Sequence, residues 1–157
     1  MAEYARSDQV QSILDAAHAE SARLSHEYLG TEHLLLGLLG CQGAVALDIL
    51  SALGVPVDEV RRNVLRTVLP GTGAREVGPD LPYTTRAKTV IDLTMRTAGE
   101  RGHEYVGSED LLVGLAREEH GLAAQVLALH GASLPRLLAE VERFARNGRR
   151  EPRSGVA

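Results

Sequence analysis

The chain has 157 residues, of which 44% are hydrophobic but only 3% aromatic, which favours a core of closely packed aliphatic helices. Its net charge of −4 argues against a nucleic acid partner, and its single cysteine excludes an internal disulfide framework and fits a reducing compartment. Because no apolar run approaches the roughly 18–20 residues that span a bilayer, and no signal-peptide pattern is present, the sequence predicts a soluble, cytoplasmic protein without a membrane partner.

The first half of the chain, residues 7–69, contains four predicted helices after a short, loose lead-in. Ser7 or Asp8 can cap the first helix, because a short side chain with an oxygen accepts hydrogen bonds from the amides of the first turn. Thr31 is the candidate cap of the second helix, and residues 34–39 of that helix are almost entirely apolar. This second helix is therefore predicted to be the buried centre of its half. The third and fourth helices are predicted at residues 45–53 and 56–69.

The second half, residues 83–145, repeats this order of helices, with Thr84 or Thr85 as the cap of its first helix. The halves are joined by a predicted linker, residues 70–82, which contains three prolines and three glycines. Residues 146–157 form a basic tail with glycine and proline. Two interpretations of the tail are open, a solvated, disordered end and a phosphate-binding segment.

One stretch of the sequence occurs twice. HEYLGTEHLLLGLL at residues 26–39 returns as HEYVGSEDLLVGLA at residues 103–116, which is 77 residues later and without a gap. A repeat of this length that is present only twice indicates duplication of a supersecondary unit and not a solenoid array. The chain is therefore predicted to be two copies of one fold.

Shorter motifs accompany the doubled stretch. YTTRAK at residues 83–88 opens the second copy, and AVALDILSALG at residues 44–54 is matched by GLAAQVLALHG at residues 121–131. Together these motifs resemble the N-terminal Clp repeat domain of the Clp/Hsp100 unfoldases, and the ClpC type most closely, over roughly residues 7–145. The resemblance implies an all-α fold in which about eight helices form two pseudo-twofold halves of one domain, residues 1–157.

The ATPase part of such unfoldases has no counterpart in this sequence. In the family the domain usually precedes ATPase modules, whereas no Gly-x-x-x-x-Gly-Lys-Ser/Thr phosphate-binding loop occurs here. A free-standing copy of the domain and an excised piece of a longer protein both fit, and the divergent lead-in and basic tail favour the free-standing copy. The resemblance implies binding without catalysis and without a cofactor, with Clp substrates, adaptor proteins or a Clp unfoldase as partners.

Glu32 and Glu109 lie in the first turn of the central helix of each half. A carboxylate at that place complements the helix dipole, which contributes about 0.3–1 kcal/mol and is one reason for its presence. The resemblance implies another reason, because the matching glutamates of ClpC-like domains hold the guanidinium group of phosphoarginine, a degradation mark, in two pseudo-symmetric pockets. Forked, charge-assisted hydrogen bonding makes a carboxylate the natural partner of that group.

The phosphate of such a ligand needs N–H and hydroxyl donors, which a helix N-terminus provides. Ser7 and Thr84 occupy matching positions at the start of the two long helices, and Arg86 or Lys88 could add positive charge. Simple capping is the alternative interpretation of the two hydroxyl groups. The first copy departs from the family pattern, because the acidic Asp8 beside Ser7 would repel phosphate.

A second function follows from the same resemblance. Cyclic peptide antibiotics dock on this face in actinobacterial relatives, and Tyr83 and Lys88 match parts of that surface, whereas Arg6 does not. Tyr83 stands where the family has Phe, which is a mild change. A free-standing copy of the domain could sequester such compounds and so protect the true unfoldase.

An enzyme is the third class of function considered. His26 recurs as His103, but no His-Glu-x-x-His spacing is present, and the second copy has Asp110 in place of His33. A loop histidine whose ring bonds nearby backbone explains this pattern better than a metal ligand does. Cys41 lies in a glycine-flanked turn without a counterpart in the second half, which predicts an ordinary semi-buried thiol. The sequence therefore predicts neither a catalytic site nor a metal site.

Overall fold

The computed structural model describes residues 4–71 and 81–155. Outside the described residues lie both chain ends and residues 72–80, which take up most of the predicted linker 70–82. The described residues form eight α-helices and no strand. In chain order the helices are α1 (Asp8–Arg23), α2 (Thr31–Leu39), α3 (Val45–Ala52), α4 (Val57–Thr67), α5 (Thr85–Glu100), α6 (Ser108–Arg117), α7 (Leu122–Leu129) and α8 (Leu134–Arg146).

The two halves share one plan. Each of α5 to α8 begins 77 residues after its counterpart among α1 to α4, so the offset of the doubled motif applies to every helix. The eight described helices therefore confirm the predicted all-α fold of two four-helix repeats. No single helix among those described is long and apolar enough to cross a membrane, and only α7 and α8 together, bent by 81°, meet those limits.

Ser7 and Thr84 cap the two long helices, whereas their neighbours Asp8 and Thr85 form the first residue of each helix. Each hydroxyl accepts a hydrogen bond at 3.1 Å from the amide three residues further on. These bonds satisfy an amide of the first turn that has no partner within the helix. Capping is therefore one established role of both hydroxyl groups.

The segment that leads into each long helix pairs with a loop of the other half. The Ser7 amide donates to the Val106 carbonyl at 2.8 Å, and the Thr84 amide donates to the Leu29 carbonyl at 2.9 Å. Because of this exchange, the start of α1 lies beside the start of α6, and the start of α5 lies beside the start of α2.

The buried central helices approach the long helices closely at two equivalent glycines. A Cβ atom added at Gly37 of α2 would lie 2.6 Å from the Ile13 carbonyl oxygen and 2.9 Å from the Ala17 nitrogen, both in α1. A Cβ atom at Gly114 of α6 would lie 3.0 Å from the Val90 carbonyl oxygen. Backbone atoms cannot rotate away, so each helix pair needs glycine at this point of contact.

Gly37→Ala is therefore expected to destabilise the domain by about 1–3 kcal/mol, because the added methyl group forces α1 and α2 apart. The matched control is Gly99→Ala in α5, where no atom lies within 4 Å of the added Cβ. The control is expected to be neutral or to stabilise the domain by up to about 1 kcal/mol. Urea unfolding followed by circular dichroism measures both changes, and equal effects would contradict the close helix contact.

Candidate functional site

Two cavities lie beside the two predicted glutamates, near the start of each central helix, and their linings correspond at the 77-residue offset only at the glutamate and at the first residue of α3 or α7. The Glu32 pocket has a volume of about 290 Å³ and is lined by Tyr28, Thr31, Glu32, Thr84, Thr85, Arg86 and Leu122. The Glu109 pocket has a volume of about 170 Å³, and its lining includes Val45, Arg101, His103, Glu109, Phe144, Arg149 and Arg150. Both predicted glutamates therefore lie in a cavity.

Each site combines a hydroxyl from one repeat with a central helix from the other. Thr84, at the start of α5, lines the Glu32 pocket at the start of α2. Ser7, at the start of α1, binds the same carboxylate group as Ser108, which precedes Glu109 at the start of α6. The strand-like pairing between the halves produces this exchange.

The carboxylate that Ser7 and Ser108 share belongs to Glu151. It accepts hydrogen bonds from Ser7 Oγ at 2.8 Å, from the Ser108 amide at 2.8 Å, from Ser108 Oγ, and from the Val45 amide at 2.7 Å. The residue is only 4% exposed. Since Ser108 and Val45 begin α6 and α3, two helix N-termini face this one anion.

Of the two interpretations of the tail, the solvated, disordered end does not fit the buried position of Glu151. Residues 147–155 fold back onto the domain: the Ser154 amide donates to the Arg6 carbonyl at 2.8 Å, and the Tyr105 hydroxyl donates to the Glu151 carbonyl at 2.5 Å. The sequence does contain one signal of this role. Glu151 is the single acidic residue of the tail, among four arginines, and a lone carboxylate in a basic segment is a candidate for a specific contact.

The electrostatic surroundings of the two glutamates differ. Burial, with smaller contributions from the carboxylates of Asp110 and Glu151, raises the pKa of Glu109 to about 7, although the Arg150 guanidinium acts in the opposite direction. Glu109 is 5% exposed, and its Oε2 has no hydrogen-bond partner among the described residues. The Glu32 side chain is 16% exposed. Glu32 is therefore the glutamate that is open to an incoming cation.

The histidines of the first half hold the loop that precedes Glu32. His33 Nδ1 accepts a hydrogen bond from the Gly30 amide at 2.9 Å, so its Nε2 carries the proton that it donates to His26 Nδ1 at 2.7 Å. His26 Nε2 then donates to the Leu69 carbonyl at 2.7 Å, which is the backbone contact expected of a recurrent loop histidine. Burial, with a smaller contribution from His26, lowers the pKa of His33 to about 4.

In the second half Asp110 takes the position of the buried histidine. Its Oδ2 accepts hydrogen bonds from the Gly107 amide and from His103 Nδ1, both at 3.0 Å, and Arg101 Nε lies 4.0 Å from its Oδ1. Ligand atoms of His103, Glu109 and Asp110 lie within 4.8 Å of one another, a spacing that a cation could share. We assign these side chains to the loop, because two donors and a guanidinium group already compensate the buried carboxylate of Asp110.

Comparison with known proteins agrees with this duplicated geometry. The sequence model of the Clp repeat (R) N-terminal domain matches residues 6–130 and 98–155 of the chain. The chain belongs to the Clp repeat N-terminal domain family. The chloroplast chaperone protein ClpC1 of Arabidopsis thaliana is 38% identical over 132 residues, which make up 84% of this chain but 14% of that protein. The chain thus spans about one-seventh of the length of this curated relative.

Solved structures of Clp N-terminal domains have the same fold. The N-terminal domain of ClpD from Arabidopsis thaliana superposes with a TM-score of 0.70 and 22% identity, covering 90% of this chain and 94% of that chain. The Hsp104 N-terminal domain from Candida albicans superposes with a TM-score of 0.72 and 15% identity, covering 96% of both chains. At these identities the likeness concerns the fold alone.

In this Clp repeat domain three of the predicted binding residues lie together. Glu32, Thr84 and Arg86 line the same cavity, where Arg86 is 60% exposed at its side chain and its Nε lies 4.0 Å from Glu118 Oε1. A carboxylate, a hydroxyl and a guanidinium group therefore face one pocket, although the first comes from one repeat and the other two come from the second.

The other predicted positions lie elsewhere on the Clp repeat domain. Tyr83 is half-buried against the core, with its ring centroid 6.2 Å from that of His18. Lys88 is exposed on α5 and is not among the described residues that line either pocket. A role for Lys88 in either pocket would therefore require a ligand that extends beyond the cavity.

Proposed function

We propose that this Clp repeat domain is a non-catalytic binding module that recognises phosphoarginine-marked substrates, or adaptor proteins, of a Clp protease system. The observation that carries the proposal is the content of the Glu32 pocket, where a glutamate lies beside hydroxyl and amide groups at a helix N-terminus. In the second half the equivalent donors lie beside Glu109 and bind Glu151. Phosphoarginine presents a guanidinium group next to a phosphate, so it needs one partner of each kind. The Glu151 carboxylate supports this assignment, because it is an anion held by the donors at the starts of α3 and α6, beside the Glu109 pocket.

The reactive side chains of the domain support binding over chemistry. Cys41 is half-buried, and burial, with the nearby Glu151 carboxylate, raises the pKa of its thiol. A thiol in that state is a weak nucleophile at neutral pH. His26 and His33 are engaged in the hydrogen bonds of the loop, so neither is positioned as a free base.

The Clp relatives suggest the setting in which the domain acts. The Arabidopsis relative is named a chaperone, and this chain matches only 14% of it. The domain would modulate a Clp unfoldase by competing for its marked substrates or adaptors, and we propose the cytoplasm as its location. An unfolding activity of its own is not part of this proposal.

Glu32→Ala is expected to weaken the binding of phosphoarginine at least tenfold, because the guanidinium group loses its charged partner. Isothermal titration calorimetry with free phosphoarginine measures the change. The matched control is Glu27→Ala, an exposed glutamate of the preceding loop, which is expected to bind like the wild type. Arginine, which lacks the phosphate, and phosphoserine, which lacks the guanidinium group, serve as control ligands.

Two results would contradict this function. Absence of heat with the wild-type protein would remove phosphoarginine as a ligand. Equal affinity of the wild type and Glu32→Ala would remove Glu32 from the site even if phosphoarginine binds elsewhere.

We also propose an alternative function, the sequestration of cyclic peptide antibiotics that target Clp N-terminal domains. It is supported by the half-buried Tyr83 and the exposed Lys88 near the start of α5, which offer an apolar ring and a cation on the surface around that helix. Titration with a cyclic peptide inhibitor of Clp unfoldases tests it. Affinity well below that of a full-length unfoldase would exclude protection by sequestration.

A further inference from the structure

The groups that hold Glu151 have equivalents in the other pocket. At the 77-residue offset, Ser7, Ser108 and Val45 correspond to Thr84, Thr31 and Leu122. All three equivalents line the Glu32 pocket. The hydroxyls of Ser108 and Thr31 also accept equivalent bonds, from the Ala46 amide at 2.9 Å and the Ala123 amide at 3.4 Å.

The donors of the Glu32 pocket have no internal carboxylate. Within residues 4–71 and 81–155, neither the Thr84 hydroxyl nor the amides of Thr31 and Leu122 donate a hydrogen bond to a protein acceptor. The two halves therefore share one set of donors. In the first half these donors line the open Glu32 pocket, whereas in the second half they lie beside the Glu109 pocket and are occupied by Glu151 of the tail.

The tail brings a cation to the same pocket. Arg150 precedes Glu151, and its guanidinium carbon lies 4.4 Å from the centroid of the Tyr105 ring. Arg150 and Glu109 both line the Glu109 pocket, and the charge of Arg150 acts on the Glu109 carboxyl group. Two consecutive tail residues thus present a guanidinium group to the Glu109 pocket and an anion to the four donors beside it.

We propose that residues 149–152 are an internal ligand of the second-half binding site, which consists of the Glu109 pocket and the adjoining donors of Ser7, Ser108 and Val45. The Glu151 carboxylate occupies the phosphate position on these donors, and Arg150 lies on the side of Glu109. That the tail excludes phosphoarginine rests on the proposed function. That the tail occupies this site does not. The domain then offers one open pocket, at Glu32, and its second pocket accepts a ligand only after the tail is displaced.

The contacts around Glu151 explain why the tail stays in place. Hydrogen bonds to an ionised carboxylate are about twice as strong as those between neutral groups, and a tethered segment competes at an effective concentration in the millimolar range. The backbone bond from the Ser154 amide to the Arg6 carbonyl, at 2.8 Å, holds the segment on the far side of Glu151. A free ligand must therefore bind the Glu109 pocket more tightly than the tail does before it can enter.

Amide hydrogen exchange tests the occupancy without any ligand. Glu151→Gln removes the charge but keeps the shape. We expect the amides of Ser154 and Asp8, which bond between the tail and the domain, to exchange about tenfold faster or more than in the wild type. The matched control is Glu119→Gln, an exposed glutamate of the α6–α7 loop, which should leave the tail protected. Equal protection of the tail in wild type and Glu151→Gln would overturn the proposal.

Calorimetric stoichiometry tests the exclusion. With phosphoarginine as the probe, we expect one site per wild-type domain, two sites in Glu151→Gln, and one site in Glu151→Gln/Glu32→Ala. Two sites in the wild type, or one site in Glu151→Gln with a released tail, would overturn the proposal. If no variant binds phosphoarginine while the tail of Glu151→Gln is released, the internal ligand stands and the proposed function fails.

Discussion

Replacing Glu109 by Gln is expected to stabilise the domain by about 2–3 kcal/mol at pH 8 and to change its stability little at pH 4. The pKa of Glu109 is raised from 4.5 to about 7 in the folded protein, mainly by burial. A folded state that holds a proton more tightly than the unfolded state loses stability as the pH rises from the unfolded pKa through the folded pKa. The amide side chain of the variant does not titrate, so the variant escapes that loss.

The groups around Glu109 reinforce this direction. Asp110 and Glu151 are buried carboxylates beside it, and Arg150 alone among the charges that act on it favours ionisation. Urea unfolding of wild type and Glu109→Gln between pH 4 and pH 8 measures the effect. Glu104→Gln, an exposed glutamate of the neighbouring loop, is the control. Parallel stability curves for wild type and Glu109→Gln would show that Glu109 titrates normally.

The opposite pH dependence is expected in the first half. There, His33→Asn should remove a loss of stability that the wild type suffers at low pH. The pKa of His33 is lowered from 6.5 to about 4, so the folded wild type binds fewer protons than the unfolded chain between these values. The wild type therefore loses about 2–3 kcal/mol through His33 as the pH falls from 7 to about 4.5. An amide side chain can still accept from the Gly30 amide and does not titrate, so the variant should lack this loss.

At neutral pH the same variant is expected to lose about 1 kcal/mol, because the hydrogen bond from His33 to His26 is gone. Unfolding curves recorded at pH 7 and pH 4.5 separate the two effects. His120→Asn, at an exposed position between α6 and α7, is the control. A loss on acidification as large in His33→Asn as in the wild type would refute the assignment.

The two predictions concern opposite pH dependences in separate halves of the domain. Between pH 4 and pH 8 the contribution of His33 rises while that of Glu109 falls, and because the shifts are of similar size they nearly cancel in the wild type. The single variants are therefore expected to slope in opposite directions, whereas the double variant is expected to be nearly as flat as the wild type. The sites are in separate halves, so their effects should add.

Much of the fold was predictable because its signals are local. The 77-residue offset is visible in the residues themselves, and the caps Ser7 and Thr84 act within three residues of their own helix. The apolar run of α2 predicts its burial, since a helix without a polar face cannot expose any side to water at low cost. The assignment of Glu32 to a pocket came from the resemblance, and the cavity around it is consistent with that assignment.

The tertiary contacts could not be predicted from local sequence patterns. Ser7 reaches the pocket of the second repeat, and Glu151 returns across 106 residues of chain to the amide of Val45, because segments remote in sequence meet only after the helices pack. Local patterns therefore predict the duplicated helices and the residues that cap the two long ones. Which hydroxyl faces which glutamate, and which pocket the tail fills, depends on how the two halves pack together, because hydrogen bonds depend on distance in space and not on distance along the chain.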